Sequence, residues 1–419
     1  MNAPHRRGAC PGLSAPMPTG DGLLVRLVPT GPIPLDAFVG VCEASLQHGN
    51  GIIEISARGS LQVRGFTPCS APLFPSAVAD LGIVAEEGIP VIAGYDLTGA
   101  RVDTVAAGLR RALAEAKLVL SPKVSVVVDG DGALHLDSLS ADIRLRAAEP
   151  SLKTRFYVGL GGNSESARWL GSIAPNDVVS TVLGLLKVIA VRGPAARAAD
   201  ILRTEGVGAF DSVLAAFIGP TPAPPRRMPA RMIGLHPGRD STTTVGIGLA
   251  FGHSRAETLV ELIRTAADVG ARAVRSTPGR AILLIGVAET GAVGLRRAAE
   301  QLGFVVCADD PRRRIAACPG APACAAGLIP ARALALALAP TLERVMGPGR
   351  NDIAVHISGC HKGCAHPMPA ALTLVGTAGG CGIIHHGSAG AAPEYHVDPA
   401  HLGAEISRIA AKTHEAADG

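Results

Sequence analysis

The chain has 419 residues, 47% of them hydrophobic and only 3% aromatic, which suits two or three domains with sizeable cores. Its formal net charge is +4 and it has no long basic run, so nucleic acid is not an expected partner. The apolar runs fall short of the ~20 residues that a bilayer requires, and the N-terminus lacks the order of a signal peptide. We therefore expect a cytoplasmic protein with no membrane partner.

The first half opens with a pattern of strand, helix, strand, strand. These elements are predicted at 22–29 (strand), 34–49 (helix) and 51–65 (two strands around a turn at Arg58-Gly59). A mixed segment follows, with a helix at 109–117, a hairpin with an Asp-Gly turn at 123–136 and a helix at 177–190.

A proline-rich linker, Gly219–Arg231, divides the chain, since its five prolines prevent a helix or a central strand. The second half repeats the first pattern, with a strand at 242–252, a helix at 254–270 and two strands within 271–286. The shared order predicts a duplicated module, half of a ferredoxin-like sheet, two copies of which can pair into one larger sheet. The alternative is two unrelated α+β pieces. Beyond it, we predict a helix near 331–338 and strands near 352–358 and 371–380.

The cysteines are concentrated in the second half. Five of the nine lie between Cys307 and Cys364. The odd number, the length of the chain and the lack of an export signal argue against a disulfide framework. Metal binding is the leading explanation.

Four of these cysteines form two pairs. Cys318 and Cys324 have five residues between them, Cys360 and Cys364 have three, and 35 residues separate the pairs. Zinc ribbons and knuckles use tighter C-x2-C pairs, whereas a wider iron–sulfur cubane tolerates these intervals and the flanking glycines. Buried structural cysteines, or a thiol–histidine dyad formed by the second pair with a neighbouring histidine, are the alternatives.

The two pairs, in the second of two similar halves, resemble the sulfite and nitrite reductase family, whose four cysteines hold a [4Fe–4S] cluster. The hairpin at 50–62, "NGIIEISARGSLQ", is similar to that family's pattern as well. Its matching residues are Asn50, Gly51, Arg58 and Gln62, with Ser56 as a near match.

Two departures from the reductases concern charge. Glu54 stands where they have an anion-binding arginine, and Ser125 replaces the second lysine of a pair of which Lys123 remains. We expect the carboxylate at 54 to repel sulfite or nitrite, which handicaps reduction of a small anion.

Three stretches resemble one branch of the family, the precorrin-3B synthases of aerobic cobalamin biosynthesis. They are "SARGSLQVRG" at 56–65, "ACPGAPAC" at 317–324 and "SGCHKGCAHP" at 358–367, and residues 6–13 and 121–132 are similar too. The resemblance implies an oxygen-dependent monooxygenase that hydroxylates precorrin-3A at C20 with γ-lactone formation, ahead of ring contraction. It also implies a [4Fe–4S] cluster on Cys318, Cys324, Cys360 and Cys364, together with an additional non-haem iron.

NADH is the implied source of electrons. The glycine-containing stretches at 159–166 and 246–252 do not fit the G-x-G-x-x-G fingerprint of a dinucleotide site. We therefore expect NADH to act indirectly, through a separate reductase.

The implied substrate is a tetrapyrrole with many carboxylates, which arginines bind well. The residues expected to bind it are Arg58, Gln62, Arg64, Lys123, Arg144, Arg275 and Arg280, with Arg26 as a further candidate. Candidates for a second iron or for contacts near the cluster are His361, Lys362 and His366, and His356 is close to them in sequence. Solvated surface charges are the alternative for the basic residues.

The sequence thus predicts an α+β protein with a duplicated nitrite/sulfite reductase-like architecture: two ferredoxin-like half-domains pair, and the second of two mixed α/β domains binds the cluster. The predicted divisions are 15–70 and 232–302 (half-domains), 71–218 (first mixed domain, without cluster cysteines), 219–231 (linker) and 303–415 (iron–sulfur domain). A sirohaem-dependent sulfite or nitrite reductase and a non-catalytic iron–sulfur electron carrier are the alternative functions.

Overall fold

The computed structural model describes residues 11–95, 101–130, 132–148, 155–238, 241–346 and 353–417. Their strands form four sheets of five strands each. Within the described residues, no helix is both long and apolar enough to cross a membrane.

The first group of elements supplies four strands of the first sheet. Its elements are β1 (Met17–Thr19), β2 (Gly22–Leu27), β3 (Ile33–Pro34), α1 (Leu35–His48), β4 (Ile52–Ile55), β5 (Leu61–Phe66) and α2 (Leu73–Asp80). In β5, Leu61 and Val63 belong to the core with Phe38 of α1, whereas Gln62 between them faces the other side and is half-buried.

The second group forms the first mixed sheet. Its strands are β6 (Val91–Ala93), β7 (Val126–Asp129), β8 (Ala141–Ala147), β9 (Phe156–Gly162) and β10 (Arg168–Ile173). Its helices are α3 (Arg101–Ala116), α4 (Val178–Ala190), α5 (Ala198–Thr204) and α6 (Asp211–Phe217).

The hairpin predicted at 123–136 is wrong. Strand β7 lies between β6 and β8 and runs parallel to both, so its run of valines is buried on both faces. The following residues, 132–140, form a loop, and the Leu136 amide donates to Asp129 Oδ2 at 3.0 Å. The Asp-Gly pair therefore ends a central parallel strand.

The third group repeats the first. Its elements are β11 (Gly234–Pro237), β12 (Thr242–Gly248), β13 (His253–Arg255), α7 (Ala256–Asp268), β14 (Ala273–Thr277), β15 (Ala281–Ala288) and α8 (Glu289–Gln301). The fourth group consists of β16 (Ile315–Ala317), α9 (Ala331–Met346), β17 (Val355–Ser358), β18 (Ala370–Thr377), β19 (Gly380–Gly387), β20 (Tyr395–Val397) and α10 (Leu402–Ala417).

The two ferredoxin-like half-domains exchange edge strands. Their sheets have the orders β1-β2-β5-β4-β13 and β11-β12-β15-β14-β3, so each contains one strand from the other half. A single hydrophobic cluster includes Val25 and Phe38 of the first half and Val245 and Leu259 of the second. The predicted pairing of the half-domains is therefore confirmed. The expectation of one larger sheet is wrong, because the two copies form separate five-stranded sheets that exchange edge strands.

The two mixed sheets share one topology. Their orders are β10-β9-β8-β7-β6 and β16-β17-β18-β19-β20, and each has three parallel strands continued by two antiparallel ones. This repeat confirms the α+β class and the duplicated architecture. The exact domain boundaries stay predictions.

The proline-rich segment 219–231 contains no helix or strand and lies against the first mixed sheet. Arg227 donates to Asp129 Oδ2 at 2.5 Å, and the Pro225 carbonyl accepts from Arg146 at 2.7 Å. These contacts hold the segment to the fold.

Candidate metal centre and substrate site

The two cysteine loops meet at one edge of the last sheet. Strands β16 and β17 are parallel neighbours, with Ala317 opposite Ile357. Because the carboxyl ends of parallel strands share an edge, the residues that follow them emerge side by side. Cys318 directly follows β16, and Cys360 comes two residues after β17 ends. The sheet thus brings together the first cysteine of each predicted pair.

Hydrogen bonds join the loops. The Gly359 amide donates to Cys318 Sγ at 3.0 Å, and the Leu328 amide donates to the Gly359 carbonyl at 2.7 Å. Within the first loop, the Cys324 amide donates to the Gly320 carbonyl at 2.7 Å. An amide directed at a ligating sulfur is a contact that tunes a metal centre.

Glycine is needed where the loops touch. A Cβ on Gly359 would lie 2.8 Å from Gly320 Cα and 3.2 Å from Gly327 Cα, both of them backbone atoms. Gly363, between the two cysteines of the second loop, has a φ of +62°, which a side chain disfavours. Both loops therefore depend on glycines that the sequence places beside the cysteines.

The four thiols share one electrostatic neighbourhood. Cys318 and Cys360 are buried, Cys324 is half-buried and Cys364 is exposed, and all four are free. Burial raises the pKa of the Cys364 thiol, the charges of the other three raise it further, and Lys362 opposes them. A bound metal centre would reverse this effect by stabilising the thiolates.

The spacing of the thiols does not suit a single ion. Four thiolates on one zinc would lie roughly 3.8 Å apart, given a Zn–S bond of about 2.3 Å. Within the described ranges, only one set of three ligand atoms lies within 4.8 Å of one another, and it consists of Asp129, His135 and Asp137. The cysteine donors therefore fit a larger, sulfur-ligated cluster better than zinc.

The set Asp129, His135 and Asp137 is an ion-pair cluster. Arg227 Nη2 lies 2.5 Å from Asp129 Oδ2 and 2.6 Å from Asp137 Oδ1. A metal ion would have to displace this guanidinium, so we assign none there.

The predicted residues near the cysteines separate into exposed and buried ones. His361 and Lys362 are exposed, whereas His366 is half-buried and meets His356 edge to face, with ring centroids 5.8 Å apart. His356 is 0% exposed, and neither ring nitrogen has a hydrogen-bond partner among the described residues. Burial lowers the pKa of His356 to about 4, and the charges of His366 and Arg280 add to this. The sequence identified this ring but gave no signal of its burial.

The first ferredoxin-like sheet turns a polar face away from the core. Residues directly opposite on neighbouring strands share a face. The cross-strand row on this face consists of Arg26, Gln62, Glu54 and His253. Arg64, on the same side of β5 as Gln62, donates to the Ala323 carbonyl in the first cysteine loop.

Glu54 is not a free negative charge. It is 5% exposed and lies 2.5 Å from Arg332 Nη1 and 3.5 Å from Arg64 Nη1. The expectation that this carboxylate repels a small anion is therefore wrong, because two guanidinium groups neutralise it.

Arg58 reaches from the β4–β5 hairpin to the first mixed domain, where its Nη2 donates to Ser125 Oγ at 2.8 Å. Partial burial lowers the pKa of Arg58, and the charges of Arg197 and Arg26 lower it further, against Asp142. Three guanidinium groups around one carboxylate leave positive charge available to an anionic ligand.

Other predicted carboxylate ligands already have protein partners. Arg144 is 1% exposed and donates to the Leu136 and Leu139 carbonyls. Arg275 donates to the Ala93 carbonyl at 2.9 Å and lies 3.4 Å from Asp103 Oδ1.

The remaining candidates differ in their surroundings. Arg280 is half-buried, and the one described hydrogen bond of its side chain is a 3.4 Å contact from Nη2 to the Ala365 carbonyl in the second cysteine loop. Lys123 is exposed, two residues before the Ser125 that binds Arg58. Their roles stay predictions.

Known proteins resemble the chain in both sequence and fold. No protein-family model matches it. The chain is 37% identical over 416 residues to a protein named precorrin-3B synthase from a Sinorhizobium species, a match that covers 97% of this chain and 89% of that protein. A solved structure of the Mycobacterium tuberculosis NirA protein has a TM-score of 0.70 at 19% identity, over 92% of this chain and 80% of that one. The predicted nitrite/sulfite reductase-like fold is therefore confirmed, and the chain belongs to the precorrin-3B synthase family.

Proposed function

We propose that this chain is an oxygen-dependent oxidoreductase that converts precorrin-3A to precorrin-3B, by hydroxylation at C20 with formation of a γ-lactone. The observation that carries the proposal is the 37% identity with a precorrin-3B synthase over 97% of the chain. The paired cysteine loops and the group of Arg58, Arg197 and Arg26 add support, since the reaction needs an electron-transfer centre and a site for a polycarboxylate ring.

Cys318, Cys324, Cys360 and Cys364 would hold a [4Fe–4S] cluster, which supplies electrons one at a time when bound. NADH would be the indirect source, through a separate reductase. His361 and His366, each within two residues of a cysteine in the sequence, would be the candidate imidazole donors for an additional non-haem iron. The Gly359 amide, already directed at Cys318 Sγ, would hold that thiolate in place.

For the substrate, the contacts favour Arg58, with Arg197 and Arg26 beside it, as the carboxylate-binding group. Gln62 and Lys123 would extend this surface. Arg144 and Arg275 are weaker candidates, because backbone carbonyls and Asp103 already satisfy them.

A turnover assay tests the proposal. The chain, purified without oxygen, is incubated with precorrin-3A, a reductant and then dioxygen. The molecular mass of the product is measured by mass spectrometry. We expect a gain of one oxygen atom. No gain despite an intact cluster would favour the electron-carrier alternative, and a tightly bound sirohaem band in the absorption spectrum would favour the reductase.

A cysteine substitution tests the metal centre. Cys324→Ser should lose most of the iron and the turnover, because serine is a poor ligand for a soft cluster. The matched control is Cys69→Ser, which changes an exposed free cysteine outside both loops. Iron and sulfide analysis would contradict the assignment if both variants kept the same iron content.

A further inference from the structure

A buried ion pair joins the first half-domain to the first cysteine loop. Arg64 is 3% exposed, and its Nη2 and Nε donate to the two carboxylate oxygens of Asp21 at 2.9 and 3.0 Å. The same Nη2 donates to the Ala323 carbonyl, on the residue before Cys324. One guanidinium therefore bridges a carboxylate of the first sheet and the backbone of a cysteine loop.

The chain next to Asp21 holds the same loop. The Gly20 amide donates to the Ala323 carbonyl at 3.2 Å. A Cβ on Gly20 would lie 2.5 Å from Ala325 N and 2.6 Å from the carbonyl carbon of Cys324. The segment before β2 is thus in close contact with both sides of Cys324.

The charge of Arg64 persists at this buried position. Burial alone would lower the pKa of Arg64, but the hydrogen bond with Asp21 and the charges of Glu54, Asp21 and Cys324 outweigh it and raise the pKa. Glu54 in turn binds Arg332 at 2.5 Å, in the helix that begins at Ala331, shortly after the loop. The positive charges of two guanidinium groups therefore equal the negative charges of two carboxylates beside this cysteine loop.

We propose that Asp21 and Arg64 form a positioning pair for the first cysteine loop, and that their opposite charges set the reduction potential of the centre held there. Arg64 then serves the metal centre rather than a substrate carboxylate. The inference rests on the four-cysteine cluster proposed above.

The sign of each effect follows from electrostatics. Reduction adds negative charge to the cluster, so a nearby buried guanidinium favours the reduced form and a nearby carboxylate opposes it. Water screens such charges weakly in a buried site. Removing Arg64 should lower the reduction potential, and neutralising Asp21 should raise it.

The test is a reductive titration of the anaerobically purified protein, followed by electron paramagnetic resonance of the reduced cluster. We expect Arg64→Met to shift the potential downward and Asp21→Asn to shift it upward. Arg64→Lys should keep a potential close to that of the native chain, because it keeps the charge. Arg64→Met and Arg64→Lys should both release iron to a chelator several-fold faster than the native chain, because both lose the guanidinium hydrogen bonds to Asp21 and to the Ala323 carbonyl.

The matched control is Arg192→Met, which breaks a two-point arginine–carboxylate pair with Glu205 at the surface of the first mixed domain. It should move neither quantity. Equal potentials in the native chain and Asp21→Asn, or shifts of the same sign in Arg64→Met and Asp21→Asn, would overturn the inference. If Arg64→Met does not fold, the inference is tested by the shift in reduction potential of Asp21→Asn alone. A native chain without iron would instead refute the proposed cluster, so the two failures are distinct.

Discussion

At the scale of single residues, Arg58 combines a reachable position with uncompensated positive charge. It is exposed, and its one described hydrogen-bond partner is the neutral Ser125. Among the described residues, Asp142 is the one carboxylate whose charge acts against Arg58 and its two arginine neighbours. A substrate carboxylate would therefore gain more binding free energy from Arg58 than from the other candidate residues.

Replacing Arg58 with Met should weaken substrate binding about 10- to 100-fold, since a hydrogen bond to a charged group is worth roughly 1.5–3 kcal/mol. Arg58→Lys should recover part of the affinity through its charge alone. The measurement is KM for precorrin-3A, with kcat and iron content followed in parallel. Arg203→Met is the control, because that side chain is 72% exposed and pairs only with Asp200 among its described contacts. Unchanged KM in Arg58→Met would remove this residue from the substrate site.

Sequence spacing predicted part of this site. The period of two predicted Arg58, Gln62 and Arg64 on one strand face, and the cysteine spacing identified the two loops. Gln62 and Arg64 do share a face of β5, whereas Arg58 lies in the turn before that strand. The partners of Arg64 and Glu54 could not be predicted in this way. Arg332 is 278 residues from Glu54 in the chain, so only the tertiary fold reveals that the glutamate is neutralised.

At the scale of elements, the Glu54–Arg332 pair links strand β4 to helix α9. The two side chains are 7% and 14% exposed, respectively. Removing Glu54 therefore leaves Arg332 charged in a poorly solvated place without this partner, and removing Arg332 leaves Glu54 with only its 3.5 Å contact to Arg64. Each of Glu54→Gln and Arg332→Met should lower the free energy of unfolding by about 3 kcal/mol. The double variant should lose clearly less free energy of unfolding than the sum of the two single losses, because it leaves neither member of the pair charged without its partner.

Urea unfolding of the native chain, the single variants and the double variant measures this coupling. The exposed pair Arg203–Asp200, with side chains 72% and 62% exposed, provides the reference cycle and should couple by less than about 1 kcal/mol. Additive losses in the Glu54–Arg332 cycle would show that the pair does not hold strand and helix together.

Strand β7 shows where element prediction fails. A short apolar run followed by Asp-Gly fits a hairpin as well as a buried parallel strand, because the local pattern is the same. The helices carry more information, since the apolar spacing of α1 and α7 extends over several turns. Both lie within the predicted ranges 34–49 and 254–270.

At the scale of the whole molecule, the duplication was predictable from the repeated order of strand, helix and hairpin. The exchange of edge strands was not, because β3 has two residues and β13 has three, too few for a periodic signal. These short strands nevertheless join the half-domains into one core. Such linkage makes the stability of the halves interdependent.

Two imidazoles, one in β13 and one in β17, should make the stability of the fold depend on pH. Burial lowers the pKa of His253 to about 4, with help from Arg332 and against Glu54 and a backbone hydrogen bond, and His356 also has a pKa of about 4. The unfolded chain binds these protons near pH 6.5, so it binds more protons than the folded chain between pH 6.5 and 4. Stability is therefore complete above about pH 6.5 and should fall by roughly 3 kcal/mol for each ring as the pH drops to 4.

Urea unfolding midpoints at pH 7.5 and 5.0 measure this loss. The native chain should unfold at a lower urea concentration at pH 5.0, and a His253→Leu, His356→Leu double variant should show a smaller difference between the two pH values. His396→Leu, at an exposed position, should keep the native difference. If the double variant were as sensitive to pH as the native chain, other groups, foremost the proposed cysteine ligands, would account for the loss. The burial of His253 and His356 would then not contribute measurably to the pH dependence of unfolding.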